Sequence, residues 1–293
     1  MQHLPENLKK EYTYLINNNP DIPGLDHPFL NLSDAFRAYF ILIDYFTDVS
    51  TDEERESMLV GVRSTDLLAS ALSRQNISFG GRIKYTDPLD ICATLFFGMV
   101  KNHSFNDGNK RTALLLLLYQ LQLYGYYPTA PKKDFEKLVL HVADNSVETF
   151  YRSVAKKFNK KNKKDDKVIH IISYLLRRMT ERKDNTYHTA PTMKEFCSTL
   201  KGRNVEYKIE NGKVKFSYIV PGKWPFRSSE TYTYTIPFHG WTRTVGAKTA
   251  RDTLKKLNLY DQYPSYHSLF DGQESMYELV DDFKEPLRRL KDE

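Results

Sequence analysis

The chain has 293 residues, of which 40% are hydrophobic and 27% charged, and this is the composition of a globular protein long enough for two domains. Its only cysteines, Cys92 and Cys197, exclude a disulfide framework, and no apolar run is long enough to span a bilayer. Residues 1–14 are charged and lack the apolar region of a signal peptide, so we expect a cytoplasmic protein.

In chain order, the first half is predicted to be helical, and its most informative part is the stretch His103–Arg111. The residues from about Asn109 to Tyr124 are predicted to form one helix that ends at Gly125. Because this helix is apolar nearly all round, we expect it to be buried at the centre of a helical domain. Its N-terminus would then leave the core beside Gly108 and attract anions.

The side chains around this N-terminus predict a phosphate site with a base. Lys110 and Arg111 place positive charge in the first helical turn. The helix dipole disfavours cations at this end, so a bound phosphate is the better explanation for them. Asp107 can hold Mg²⁺ through one oxygen, and His103 can take a proton from an incoming hydroxyl. Phe105 is expected to fix the loop to the core.

After this domain comes a lysine-rich stretch that marks a boundary, and its cations are Lys156, Lys157, Lys160, Lys161, Lys163, Lys164 and Lys167. A solvated linker or a contact with nucleic acid or an acidic partner would both explain it. Beyond it the pattern changes to a small α+β unit. Val205–Glu210 and Lys213–Val220 alternate as strands on either side of the hairpin turn Asn211-Gly212.

The stretch His103–Arg111 resembles the signature of the Fic/Doc (Fido) superfamily, His-x-Phe-x-Asp/Glu-Gly-Asn-Gly/Lys-Arg, and fills every position of it. The match is closest to the Doc-type branch, because Lys110 and Thr112-Ala113-Leu114 follow the Doc pattern. Fic enzymes that transfer AMP usually carry a second arginine three residues after the first. That position is Leu114 here, so the resemblance favours Doc-like phosphoryl transfer from ATP over AMPylation.

The resemblance implies a role for each matching residue. His103 would be the catalytic base that activates a Ser, Thr or Tyr hydroxyl of a target protein, and Asp107 would bind Mg²⁺. The residues implied in phosphate and nucleotide binding are Gly108, Asn109, Lys110 and Arg111. A β-hairpin flap that clamps the target would include Ser78, Phe79, Gly80 and Gly81. ATP and Mg²⁺ are the implied cofactors.

The resemblance also implies how such a protein would be controlled. Family members often carry an inhibitory Ser/Thr-x-x-x-Glu-Gly/Asn helix, and the nearest stretch, Ser50–Glu54, is followed by Arg55 instead. We therefore expect an antitoxin or another inhibitor in trans, as in a toxin–antitoxin pair.

The predicted organisation is an N-terminal extension (1–29), a mainly α Fido domain with its flap (30–158), a basic linker (159–167) and a smaller α+β domain (168–293). The last faintly resembles a HicA-type, double-stranded-RNA-binding-like fold, through Met193–Phe196, Ile236–Gly240 and Thr249–Leu257. The strand Lys213–Tyr218 lacks the histidine of HicA ribonucleases, so a binding module is expected there, with nucleic acid as one candidate partner.

A different class of function is also open: a non-catalytic regulator that senses nucleotide and binds protein or nucleic acid. The presence of His103 favours the enzyme, because a pure binding protein does not require a base at that position.

Overall fold

The computed structural model describes residues 4–49, 60–158, 164–182, 190–220, 229–259 and 276–291. They fall into two compact units. Unit 1 comprises Met1–Asp184 and Met276–Glu293, and unit 2 comprises Asn185–Ser275. The fold class predicted from the sequence is confirmed, because a helical core with a small hairpin is accompanied by a smaller α+β region. Among the described helices, none combines the length and apolar character that a membrane span requires.

The helices of unit 1 are α1 (Glu6–Asn18), α2 (Leu32–Val49), α3 (Thr65–Ser73), α4 (Pro88–Lys101), α5 (Asn109–Leu123), α6 (Lys132–Ala143), α7 (Val147–Phe150), α8 (Arg152–Ala155), α9 (Lys164–Met179), α12 (Met276–Asp282) and α13 (Lys284–Arg289). Two short antiparallel pairs join them: β1 (Ser78–Phe79) with β2 (Arg82–Ile83), and β3 (Tyr126–Pro128) with β4 (Thr180–Arg182).

Helix α5 is the centre of unit 1, as its sequence predicts. Its leucines from Leu114 to Leu118 are at most 1% exposed, and α2, α4, α6 and α12 all pack against it. Each buried leucine contributes about 1.5–3 kcal/mol to the stability of the fold. The helix ends where predicted, since Gly125 follows it with a left-handed φ of 77°.

The two units divide the chain differently from the predicted boundaries. Helix α9, which the sequence assigned to the linker and the second domain, buries Ile169, Ile172 and Leu176 in the core of unit 1. The helix is followed directly by strand β4, which pairs with β3. Residues 159–163 of the predicted linker lie outside the described residues, as does Ser50–Glu54.

The segment after unit 2 also returns to unit 1. Leu279, Phe283 and Leu287 are buried in the core that contains α5. Polar contacts reinforce this packing: Arg289 donates two parallel hydrogen bonds to the Glu136 carboxylate, and the Tyr277 hydroxyl donates one to Asp44. Unit 2 is therefore an insertion between β4 and α12.

Unit 2 consists of α10 (Met193–Gly202), the antiparallel sheet β5 (Val205–Glu210), β6 (Lys213–Val220) and β7 (Glu230–Pro237), and α11 (Ala247–Lys256). The hairpin between β5 and β6 is confirmed, and Asn211 and Gly212 have left-handed φ angles of 49° and 68°. Side chains on one face of the sheet and on both helices form a separate core around Phe196, Phe216 and Leu254.

Candidate functional site

The loop His103–Gly108 enters helix α5 through a left-handed residue. Gly108 has a φ of 79° and precedes the first residue of the helix, a conformation that glycine adopts without steric cost. The Thr112 hydroxyl donates a hydrogen bond to the Gly108 carbonyl, and this bond fixes the end of the loop to the first turn of the helix. Because α5 is buried, its N-terminus has a fixed position and direction.

Asn109 closes this loop on itself. Its Oδ1 accepts the backbone N–H of Phe105 at 2.9 Å, and its Nδ2 donates to the Phe105 carbonyl at 2.8 Å. The side chain is 5% exposed. The amide that the family resemblance implies in phosphate binding therefore has backbone partners, and it holds the loop in shape.

A second support comes from Tyr39 of α2, which sequence reasoning missed. Its ring stacks on Phe105 with centroids 4.2 Å apart, and its hydroxyl accepts the Gly61 N–H at 2.9 Å. Burial raises the pKa of Tyr39 to about 12, so the hydroxyl stays protonated at neutral pH. Phe105 is 1% exposed and lies where the sequence predicts an anchor of the loop.

The segment 60–64 forms the other wall of the loop. Its backbone N–H groups at Arg63 and Ser64 donate to the Ser104 carbonyl, and the Asn106 N–H donates to the Gly61 carbonyl. These contacts join residues about forty positions apart, and no local sequence pattern indicates them. The loop therefore has little freedom to move when a ligand binds.

The charged residues of the loop lie at the helix N-terminus in different environments. Asp107 is half-buried, and its carboxylate accepts the Gly108 N–H. Arg111 is 5% exposed, and its guanidinium lies 5.2 Å from the centroid of the Phe46 ring. Lys110 is half-buried. A cavity of about 10 Å³ lies between α2 and the loop, lined by Tyr39, Leu42, Ile43, Val60, Asp107, Gly108, Arg111 and Thr112.

His103 is exposed and stands at the start of the loop. Its φ of 47° is in the left-handed region, which is uncommon for residues other than glycine and frequent at functional sites. The preceding residue, Asn102, donates from Nδ2 to the Leu67 carbonyl at 2.9 Å and fixes the end of α4. The imidazole is therefore held by a constrained backbone and is open to solvent.

A larger cavity of about 290 Å³ is lined in part by Lys101 and Asn102, the two residues that precede His103 in the chain. The lining residues are Arg74, Phe97, Lys101, Asn102, Val142, Asn145, Val147, Glu148, Asp165 and Val168. The Arg74 guanidinium lies 5.2 Å from the centroid of the Phe97 ring. Cations, carboxylates, amides and an aromatic ring together form a mixed polar and apolar lining, as small-molecule sites commonly have.

The predicted flap is a hairpin of two strands with an open tip. Gly80 and Gly81 take left-handed φ angles of 58° and 76°, as a tight two-residue turn requires. Phe79 is 89% exposed and Ile83 is 54% exposed. Large apolar side chains in this setting are available to contact another molecule.

Within the loop 103–108, Asp107 is the carboxylate that suits Mg²⁺. Among the residues that the structure describes, no three His, Cys, Asp or Glu side chains gather into a metal site. Mg²⁺ is often held by one or two carboxylates together with substrate phosphates and water. Asp107, at a helix N-terminus beside Arg111, fits that arrangement.

A comparison with protein families finds that residues 29–121 match the model of the Fic/DOC family. The match spans α2, the flap, the loop and nearly all of α5, and it supports assignment of this segment to the Fido superfamily. Members of this family are in general nucleotide transferases that use ATP with a metal and act on proteins. No curated protein and no solved structure matches the chain.

The role of Asn109 in the loop can be tested through stability. Asn109→Ala leaves the buried N–H and carbonyl of Phe105 without partners, so the free energy of unfolding is expected to fall by about 2–4 kcal/mol. Asn106→Ala, which removes an exposed side chain from the same loop, should change it by less than about 0.5 kcal/mol. Chemical denaturation measures both, and equal effects would contradict the clamp.

Proposed function

We propose that this protein is a nucleotide-dependent transferase that modifies a hydroxyl side chain of a target protein. The observation that carries the proposal is the fixed loop, which holds His103 at one end and Asp107 and Arg111 at the N-terminus of a buried helix. A base, a metal-binding carboxylate and fixed positive charge are the groups that phosphoryl or nucleotidyl transfer requires.

Within this proposal each part of the site has a task. The phosphates of ATP bind at the N-terminus of α5, where Gly108, Lys110 and Arg111 provide backbone donors and charge. The 290 Å³ cavity lined in part by Lys101 and Asn102 receives the base and ribose, because its carboxylates and amides can pair with amino and hydroxyl groups. Mg²⁺ at Asp107 would neutralise charge on the phosphates.

We favour transfer of the γ-phosphoryl group. The hydroxyl oxygen of the target forms a bond to the γ-phosphorus, and the bond to the β–γ bridging oxygen breaks, so ADP leaves. His103 accepts the proton of the hydroxyl. The argument for this outcome is Leu114, which occupies the position of the second arginine of AMP-transferring relatives and is fully buried in the core. AMPylation is the alternative.

Labelled ATP distinguishes the two reactions. With lysate protein as acceptor, label from the γ-position is expected to appear on protein, and label from the α-position is not. His103→Ala should lower the rate by about 100-fold or more, because general-base catalysis contributes that much. Transfer from the α-position would establish AMPylation instead. No transfer from either position, with a wild-type phenotype for His103→Ala in cells, would favour the nucleotide-sensing regulator.

The metal role of Asp107 has a readout that is independent of catalysis. Asp107→Asn keeps an oxygen for the Gly108 N–H but removes the charge, so the Mg²⁺ concentration needed for half-maximal ATP binding is expected to rise about tenfold. Calorimetric titration of ATP at several Mg²⁺ concentrations measures this. Asp66→Asn, in the first turn of α3, is the control and should bind as the wild type does. An unchanged Mg²⁺ requirement for Asp107→Asn would exclude the role.

The toxin role, the cytoplasmic location and control by an antitoxin or inhibitor in trans are parts of the same proposal. The exposed flap residues Phe79 and Ile83 support a protein target, because an apolar hairpin tip offers a surface to a polypeptide. The active site lies in unit 1, and unit 2 is available to select where it acts.

A nucleic-acid contact at unit 2 is a second candidate function, and charge favours it. Residues 185–275 hold 13 Lys and Arg against 8 Asp and Glu, so nearly all of the chain's net charge of +6 belongs to this unit. Trp241 and Arg243 are exposed and add an aromatic and a basic side chain to the surface of this unit, whereas Trp224 and Arg227 lie outside the described residues.

The open face of the sheet provides the clearest surface for that contact. Lys208 of β5 lies directly opposite Lys215 of β6, and like charges in this position are destabilising unless a ligand compensates for them. Most neighbouring outward residues of β6 and β7 are cationic or hydroxylic, namely Lys213, Ser217, Thr231, Thr233 and Thr235, and Ile219 is the apolar one among them. On β5 the carboxylates of Glu210 and Glu206 lie opposite Lys213 and Ser217. Lysine, serine and threonine side chains are common donors to nucleic-acid phosphates.

Charge reversal locates this surface. Lys213→Glu with Lys215→Glu is expected to weaken binding of a fluorescent RNA duplex about tenfold or more at low salt, because two phosphate contacts are lost. Lys248→Glu with Lys256→Glu on α11 makes the same change of charge elsewhere and is the control. Anisotropy titrations at two salt concentrations measure both variants. If only the α11 variant weakened RNA binding, the contact would lie on α11 and not on the sheet.

A further inference from the structure

The first turn of α9 contacts two parts of the transferase site, the flap and the cavity wall, with three consecutive residues. Asp165 lines the 290 Å³ cavity. Asp166 accepts a hydrogen bond from Lys84, which immediately follows the flap strand β2, with Nζ and Oδ1 2.5 Å apart. Lys167 donates to Glu148, another residue of the cavity wall, at 2.5 Å. One helical turn therefore contacts both the flap and the proposed nucleotide cavity.

The flap has few other attachments to the body of unit 1. All residues from Ser78 to Lys84 are exposed. The Lys84 N–H donates to the Ile77 carbonyl, which closes the hairpin but does not fix its direction. The Lys84 ammonium also lies 5.0 Å from the centroid of the Tyr85 ring, and Tyr85 is buried. The ion pair with Asp166 is thus the charged contact that ties the base of the hairpin to a helix of the core.

Helix α9 is a rigid support for this contact. Its apolar face, which includes Ile169 and Ile172, is buried in the core. Arg177 in its last turns forms an ion pair of 3.0 Å with Asp87, the N-cap residue of α4. Since α4 leads directly to His103, the same helix supports the flap, the cavity wall and the helix that precedes the loop.

We propose that Asp166 is a positioning residue of the transferase: through Lys84 it holds the flap in a fixed relation to the nucleotide cavity, and so determines affinity for the protein target. The proposal rests on the transferase function proposed above. Asp166 does not touch the reacting atoms. Its removal is expected to affect the acceptor protein and leave nucleotide binding unchanged.

Acidity does not control this contact in the neutral range. Burial would raise the pKa of the Asp166 carboxyl, but hydrogen bonding to Lys84 holds it below its usual value. Burial would lower the pKa of Lys84, and the same bond raises it. The contribution of Asp166 is lost only as the pH falls below about 4, and that of Lys84 only above about 10. The Tyr85 hydroxyl and the His170 ring also face this pair, and burial raises the pKa of Tyr85.

The test compares Asp166→Asn and Lys84→Gln with the wild type. Both variants are expected to exchange the amide hydrogens of residues 77–84 several-fold faster, and to need several-fold more lysate protein for half-maximal label transfer. The dissociation constant for ATP should stay within twofold. Asp134→Asn removes a comparable exposed ion pair, that with Lys137, and is the matched control.

The charge swap Lys84→Asp with Asp166→Lys provides the decisive variant. The swap should restore slow hydrogen exchange of the flap amides and the wild-type concentration of acceptor protein for half-maximal transfer. If the single variants acted only by destabilising the fold, the swap would restore neither. Unchanged flap exchange in Asp166→Asn would overturn the proposal. If ATP does not bind or transfer to any variant, the transferase function fails, while hydrogen exchange still decides whether Asp166 holds the flap.

Discussion

The structure of unit 1 depends on the complete burial of helix α5. Because the helix is enclosed by apolar neighbours, its first turn has one position and one direction, and every group at the candidate site is placed relative to that turn. The two hydrogen bonds of Asn109 to Phe105 extend this order into the loop. A helix that was only half-buried could tilt, and the base and the phosphate-binding end would not keep a fixed separation.

Under the proposed function, this arrangement would separate the chemistry from the recognition of the target. The loop between His103 and Arg111 is held by the core and by the segment 60–64, so it would offer a nucleotide a preformed surface. The flap is exposed and held mainly at its base, so it would retain the freedom to fit a polypeptide.

Local sequence patterns predict much of the fold of both units. The apolar sequence of α5 indicated a buried helix, Gly125 its end, and Asn211-Gly212 a hairpin whose strands begin and end where expected. Contacts between distant residues were not predictable. Nothing local links Tyr39 to Gly61, or shows that Thr180–Arg182 pairs with β3. The family resemblance implies a phosphate role for Asn109, whereas the hydrogen bonds of its amide to the Phe105 backbone are visible only in the fold.

The return of residues 276–290 to unit 1 has a consequence for synthesis of the protein. Leu279, Phe283 and Leu287 fill part of the core around α5, yet the ribosome produces them only after the whole of unit 2. Until then the core of unit 1 lacks one wall, and the chain between β4 and α12 is a long loop whose closure costs entropy. Folding of unit 2 first would shorten that loop. The N-terminus of α5 therefore reaches its final rigidity only after the whole of unit 2 and α12 have been translated.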